Sequence, residues 1–164
     1  MSDHVLPSTL VNNFTEDYLL KLPYDFYKKT KSYLDVKDLK KIQKAYTFAF
    51  YSHEGQKRKD GSKYITHPVN VASILLELKM DPDSICAALM HDILEDCDVK
   101  KNDLAKLFGN DVAEIVDGVS KLSALDIKTT SERDANNLQK MMLAISKDVR
   151  AVSYTHLTLP TTML

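Results

Sequence analysis

Glycine and proline are scarce in this sequence, with four and five among 164 residues. So few turn-forming residues exclude a turn-rich β architecture and favour helices. Cysteine is scarcer still. Cys86 and Cys97 are the only two, too few for a disulfide framework, and neither lies in a CxxC pair. Cys86, inside the run Ile85-Cys86-Ala87-Ala88-Leu89, reads as a buried, reduced thiol. An excess of one charge is missing too. With 22 basic and 23 acidic residues the formal net charge is −1, so no global field draws the chain to nucleic acid or to an anionic membrane. No apolar run reaches the roughly 18 residues of a membrane span, and Met1-Ser2-Asp3-His4 lacks the basic-then-apolar build of a signal peptide. The expectation is one cytoplasmic all-α domain.

Apolar periodicity supplies the elements. Glu16 to Tyr33 carries spaced apolar residues interrupted by Pro23, which breaks or restarts a helix. Asp35 reads as an N-cap, followed by Leu39, Ile42, Tyr46, Ala49 and Phe50 on one face of a helix to about Ser52. His53 to Thr66 is polar and holds Gly55 and Gly61, and reads as a loop. His67-Pro68 opens the next helix, and Asp81-Pro82 caps another that is expected to run unbroken through Asp92 to about Asp96. Asn102 is expected to cap a short helix stopped by Gly109. Val112, Ile115, Val116 and Val119 mark a further helix. Leu138, Met141, Met142 and Ile145 mark the last.

Chemistry concentrates in His91-Asp92-Ile93-Leu94-Glu95-Asp96, which follows the apolar Ala87-Ala88-Leu89-Met90. On a continuous helix, His91 with Glu95 and Asp92 with Asp96 each share a face. Imidazole nitrogen with carboxylate oxygen suits Mn²⁺, Fe²⁺, Zn²⁺ or Mg²⁺. Glu95 and Asp96 can then orient or deprotonate a bound water. The bland alternative is a solvated helix end, but burying so many ionisable groups without a partner is costly. His67, at a loop-to-helix junction, reads as a second imidazole or as a weak cap. Lys57-Arg58-Lys59 reads as a phosphate grip or as a solvated charge run. Tyr64 is a stacking surface or a core aromatic, and His53 is expected to be exposed.

The chain His53-x-Gly55-Gln56-x-Arg58-Lys59-x-Gly61, Tyr64-Ile65-x-His67-Pro68, His91-Asp92-x-x-Glu95-Asp96, Phe108-Gly109 and Gly118-Val119-Ser120-Lys121-Leu122 resembles the RelA/SpoT homologues, over about residues 30–150. The resemblance implies an HD-type helical bundle that removes the 3′-pyrophosphate of (p)ppGpp to give GDP or GTP and pyrophosphate. It implies His67, His91 and Asp92 as ligands of Mn²⁺, Glu95 and Asp96 as the groups that activate water, and Arg58 and Lys59 as contacts to the guanine nucleotide. It also implies synthetase and regulatory domains beyond this segment, and no direct nucleic-acid binding by this domain. The alternatives are an inactive regulatory module, or a phosphohydrolase of another nucleotide.

The pattern departs from the family after Asp148, where no acidic residue follows. The family's fourth ligand, an aspartate, falls in register with Thr158, and His156 stands nearby. Residues 1–30 are expected to form an N-terminal arm and first helix, and residues 31–152 the hydrolase domain, incomplete at its end. Residues 153–164 are expected to be a non-native tail.

Overall fold

A computed structural model describes residues 11–12, 14–57, 59–124 and 133–146. The regular elements among them are helical: a 3₁₀ turn Glu16–Tyr18, then α1 Tyr24–Lys31, α2 Val36–Ser52, α3 Thr66–Glu77, α4 Pro82–Leu89, α5 Ile93–Asp96, α6 Lys101–Phe108, α7 Asn110–Ala124 and α8 Arg133–Ser146. The all-α expectation is met. No helix among the described residues is long and apolar enough to cross a membrane.

Local chemistry starts and stops these helices. Pro23 occupies the N-cap of α1, so the expected interruption is a restart. Asp35 Oδ1 accepts from the Asp38 amide at 2.8 Å and caps α2. Asp81 accepts from both the amide and the hydroxyl of Ser84, with Pro82 at the first helical position of α4. The expected cap at Asn102 is displaced. Helix α6 begins at Lys101, and the Asp103 carboxylate accepts from the Lys100 amide at 3.0 Å. Gly109 ends α6 at φ 95°, a conformation that favours glycine.

Helix α4 forms the centre. Ile85, Cys86, Ala87, Ala88 and Leu89 are all fully buried, because α2, α3 and α7 cover it from different sides. Its small residues let those neighbours come close. Phe48, Leu75, Leu76, Leu104, Val112 and Val116 complete the core. Helix α8 lies on α7 and α3. Gly118 of α7 makes that approach possible, since a Cβ there would meet the Ala144 Cβ at 3.3 Å. Along α8, Met141, Ala144 and Ile145 are buried while Met142 is exposed, so Met142 leaves the predicted apolar side. Cys86 is buried, and burial pushes its thiol well above the ordinary range.

One expected element is absent as drawn. The helix predicted to run from Pro82 to Asp96 stops at Leu89, turns through Met90, His91 and Asp92, and resumes as the single turn α5. Continuing the helix would bring the Asp92 amide to the Ala88 carbonyl. The His91 Nδ1 takes that carbonyl instead, at 2.7 Å, and the backbone tightens to Met90 N–Ala87 O and His91 N–Ala88 O bonds.

Candidate metal centre

The break at Met90–Asp92 places two ionisable side chains at the inner end of α4, in the core. His91 is fully buried and Asp92 nearly so. His67 joins them from the first turn of α3, where it too is buried. The atoms that face one another are His67 Nε2, His91 Nε2 and Asp92 Oδ2. Their separations are 3.2 Å between the imidazoles, 3.1 Å from His91 to Asp92 and 3.5 Å from His67 to Asp92. Among the described residues these three form the group that can hold a metal ion.

The tautomer of His91 follows from its surroundings. A carbonyl only accepts, so Nδ1 carries the hydrogen donated to Ala88 O, which leaves Nε2, facing His67 and Asp92, as the nitrogen whose lone pair a cation can take. Burial opposes charge on His91, but the Asp92 carboxylate outweighs it and the ring's pKa is raised. Burial likewise opposes the Asp92 carboxylate, but His91 beside it and the Tyr64 hydroxyl hold its pKa far below the ordinary value. The cluster therefore attracts positive charge to one point, where donors from two helices and one turn converge.

Around this point lie residues the sequence left open or passed over. The Tyr64 hydroxyl stands 2.7 Å from Asp92 Oδ2 and 2.9 Å from Asp96 Oδ2. Burial and then the two carboxylates raise its pKa, so the phenol stays protonated. Its ring stacks on His53 at 4.5 Å and meets His67 edge-on. Tyr64 is thus part of the site. His53, expected at the surface, is 3% exposed, covered by that stacking and by Gln56, whose Oε1 lies 3.0 Å from its Nδ1. Burial lowers the pKa of His53. Gln56 donates to the Asp96 carbonyl at 3.1 Å, which ties the loop to α5. Asn137 of α8 is buried, with its amide nitrogen 2.8 Å from His67 Nε2. Its signal was register: it precedes the buried Met141 by four and Ile145 by eight, a polar residue on an apolar stripe.

Glu95 and Asp96 lie on α5 and are exposed. The helix expected to carry both pairs is broken at Met90–Asp92, but Asp92 and Asp96 still share a side: Asp92 is the N-cap of α5, its carbonyl accepts from the Asp96 amide at 3.0 Å, and the Tyr64 hydroxyl reaches both carboxylates. Lys59 is exposed in the loop closed by the isolated Lys57–Lys63 bridge. Arg58, His156 and Thr158 lie outside the described residues, as does the expected boundary at 152.

Comparison with known proteins agrees with this architecture. The HD domain family matches residues 45–155. The chain is 46% identical over 122 residues to the guanosine-3′,5′-bis(diphosphate) 3′-pyrophosphohydrolase of Vibrio cholerae serotype O1, covering 74% of this chain and 17% of that protein. It is 44% identical over 122 residues to the bifunctional (p)ppGpp synthase/hydrolase SpoT of Escherichia coli K12, with the same coverage. It is 50% identical over 101 residues to the pyrophosphohydrolase of Haemophilus influenzae, covering 62% of this chain and 15% of that protein. The chain thus spans about a sixth of the length of these relatives. The family match takes in more than half of the chain, including every residue of the buried cluster, and the chain belongs to the HD domain family.

Proposed function

We propose that this chain is the hydrolase segment of a longer (p)ppGpp synthetase/hydrolase, and that it removes the 3′-pyrophosphate of guanosine tetra- or pentaphosphate through a divalent ion, Mn²⁺, held by His67, His91 and Asp92. HD domains bind divalent metals, and the chain has a His/Asp site of that kind. The observation that carries the reading is the donor triangle, with edges of 3.1, 3.2 and 3.5 Å. Ligands held about 2.1 Å from one ion stand about 3.0–3.4 Å apart at octahedral to tetrahedral angles. The residues suit the ion in chemistry, and two edges fall in that range with the third, at 3.5 Å, just beyond it.

When bound, the ion supplies an acidified water and a positive charge for a phosphoryl oxygen. The remaining work falls to the chain. Asp96 and Glu95, exposed on α5 beside Asp92, orient the attacking water and take its proton. His91, locked through Ala88, keeps its coordinating lone pair in place. Arg58 and Lys59 receive the guanine nucleotide, as cations that meet phosphate or base. The products are GDP or GTP and pyrophosphate, and the chemistry leaves the purine untouched.

The test is direct. Guanosine 3′,5′-bis(diphosphate) is incubated with the chain and Mn²⁺, and the products are separated by anion exchange. GDP and pyrophosphate in equal amounts, abolished by EDTA and restored by excess Mn²⁺, are expected. Release of orthophosphate, or turnover indifferent to EDTA, would sink the proposal.

A further inference from the structure

The Tyr64 hydroxyl touches two carboxylates that the proposed mechanism uses separately. Its contact with Asp92 is to Oδ2, the same oxygen that stands 3.1 Å from His91 Nε2 and 3.5 Å from His67 Nε2. A phenol carries one hydrogen, yet Asp92 Oδ2 at 2.7 Å and Asp96 Oδ2 at 2.9 Å both stand within hydrogen-bond range. The hydrogen can serve only one acceptor at a time. The acceptor strength of Asp92 Oδ2 depends on whether a cation already draws on it. We infer that Tyr64 is a positioning residue that couples metal loading to the water-activating carboxylate. Without an ion its hydroxyl donates to Asp92, and with the ion bound the hydroxyl turns its hydrogen to Asp96.

The surroundings hold the ring while leaving the hydroxyl hydrogen free to turn. Stacking on His53 and edge contact with His67 fix the plane. The Tyr64 amide bonds to the Gln56 carbonyl at 3.4 Å, and Gln56 reaches the Asp96 carbonyl. Rotation about the C–O bond alone moves the hydrogen between the two acceptors, with no rearrangement of the ring. The consequence is order. Asp96 receives its hydrogen bond, and with it a fixed orientation, once the site is loaded. The inference rests on the metal reading of His67, His91 and Asp92 and is independent of which nucleotide is cleaved.

Tyr64→Phe keeps the ring and removes the hydroxyl. Because the hydroxyl donates to Asp92 in the empty site and leaves it on loading, its removal takes away a competitor of the ion, and Mn²⁺ affinity, read from free Mn²⁺ by electron paramagnetic resonance, is expected to tighten about 2–10-fold, the worth of about one hydrogen bond. The visible absorption of the Co²⁺-loaded variant is expected to differ from wild type. In the nucleotide assay kcat is expected to fall about tenfold or more with KM held within about twofold, since Tyr64 is assigned no substrate contact. A second measurement needs no variant. With ¹³Cζ-labelled tyrosine, the Tyr64 resonance of the wild-type chain is expected to move on Zn²⁺ loading, and Asp96→Asn is expected to abolish that movement. Unchanged Mn²⁺ affinity and Co²⁺ spectrum in Tyr64→Phe, or a Tyr64 resonance indifferent to Zn²⁺, would overturn the inference, as would a wild-type chain that binds none of these ions. A wild-type chain that loads metal but leaves guanosine bis(diphosphate) intact refutes the proposed substrate, while the affinity and spectra still decide the role of Tyr64.

Discussion

His91 is fully buried and engaged at both ring nitrogens, whereas Lys59 is exposed in a loop closed by the Lys57–Lys63 bridge. Both stand in short polar segments next to helices, and both are proposed to serve one reaction. The turn at Met90–Asp92 lies against the core, so its geometry is set by everything that packs α4. The loop is set by local bonds, such as the 2.9 Å contact from the Ser62 amide to Asp60 Oδ1, and by the Gln56 link to α5. The contrast matches two physical demands. Metal ligands gain from a dry, rigid setting that fixes their lone pairs. Groups that capture a polyphosphate gain from staying hydrated until the ligand arrives, because an exposed cation pays no standing desolvation penalty.

The sharpest way to test that contrast is to remove charge from the buried side. Asp92→Asn keeps the shape and the contacts to Tyr64 but takes away the anionic donor. Mn²⁺ affinity is expected to fall by more than the about 100-fold upper bound for outer-sphere partners, and hydrolysis with it, as read by calorimetry and product chromatography. A loss below tenfold would mean that the triangle is not the metal centre. Packing offers the next test. Gly118→Val drives side-chain atoms into Ala144, where even a Cβ stands at 3.3 Å, and pushes α8 from α7. Overpacking of this kind costs about 1–3 kcal/mol, measured by denaturant unfolding. Because Asn137 rides on α8 and reaches His67, Mn²⁺ affinity is expected to drop too. Stability lost with affinity intact would show that α8 holds the fold but not the site.

The sequence made some of this legible and hid the rest for identifiable reasons. Helix existence followed from periodicity and caps, as Asp35 and Asp81 show. From the residues alone His91 and Asp92 stood out by their apolar context, while His67 read equally as a weak cap, and only the family resemblance put the three together. The break at His91 was not recoverable from propensity. There the Ala88 carbonyl accepts from both the amide and Nδ1 of His91 in a tighter turn, which no period reveals. His53 looked exposed because its neighbours in sequence are polar, yet Tyr64, eleven residues on, stacks over it. Asn137 was missed because register places it on the apolar stripe of α8 but does not show that this stripe meets His67 of α3.

The loop side is expected to break more gently. Lys59→Ala removes one exposed cation. If Lys59 meets the nucleotide as proposed, KM is expected to rise about fivefold, the equivalent of about 1 kcal/mol, with kcat within about twofold. The effect is expected to shrink as ionic strength rises, since the interaction is exposed and screened. Kinetics at two salt concentrations decide it. A fall in kcat with KM unchanged would place Lys59 with the reacting groups and erase the distinction between the two regions.

The smallest effect comes from a bond that serves the scaffold and neither region. Tyr33 donates its hydroxyl to the Met80 carbonyl at 2.6 Å, pinning the end of α1 to the turn between α3 and α4. Lys79 lies over its ring. Tyr33→Phe is expected to cost about 1 kcal/mol of stability and to leave Mn²⁺ affinity and KM alone. Burial, then Asp81, raises the Tyr33 pKa to about 12 from 10.0. The folded state thus holds this proton more tightly than the unfolded chain does. Its contribution is complete below about pH 10 and is lost as pH rises toward about 12. Urea midpoints measured across that window should fall less steeply with pH in the phenylalanine variant than in wild type. An equal slope would mean that the Tyr33 hydroxyl does not link α1 to the Met80 turn.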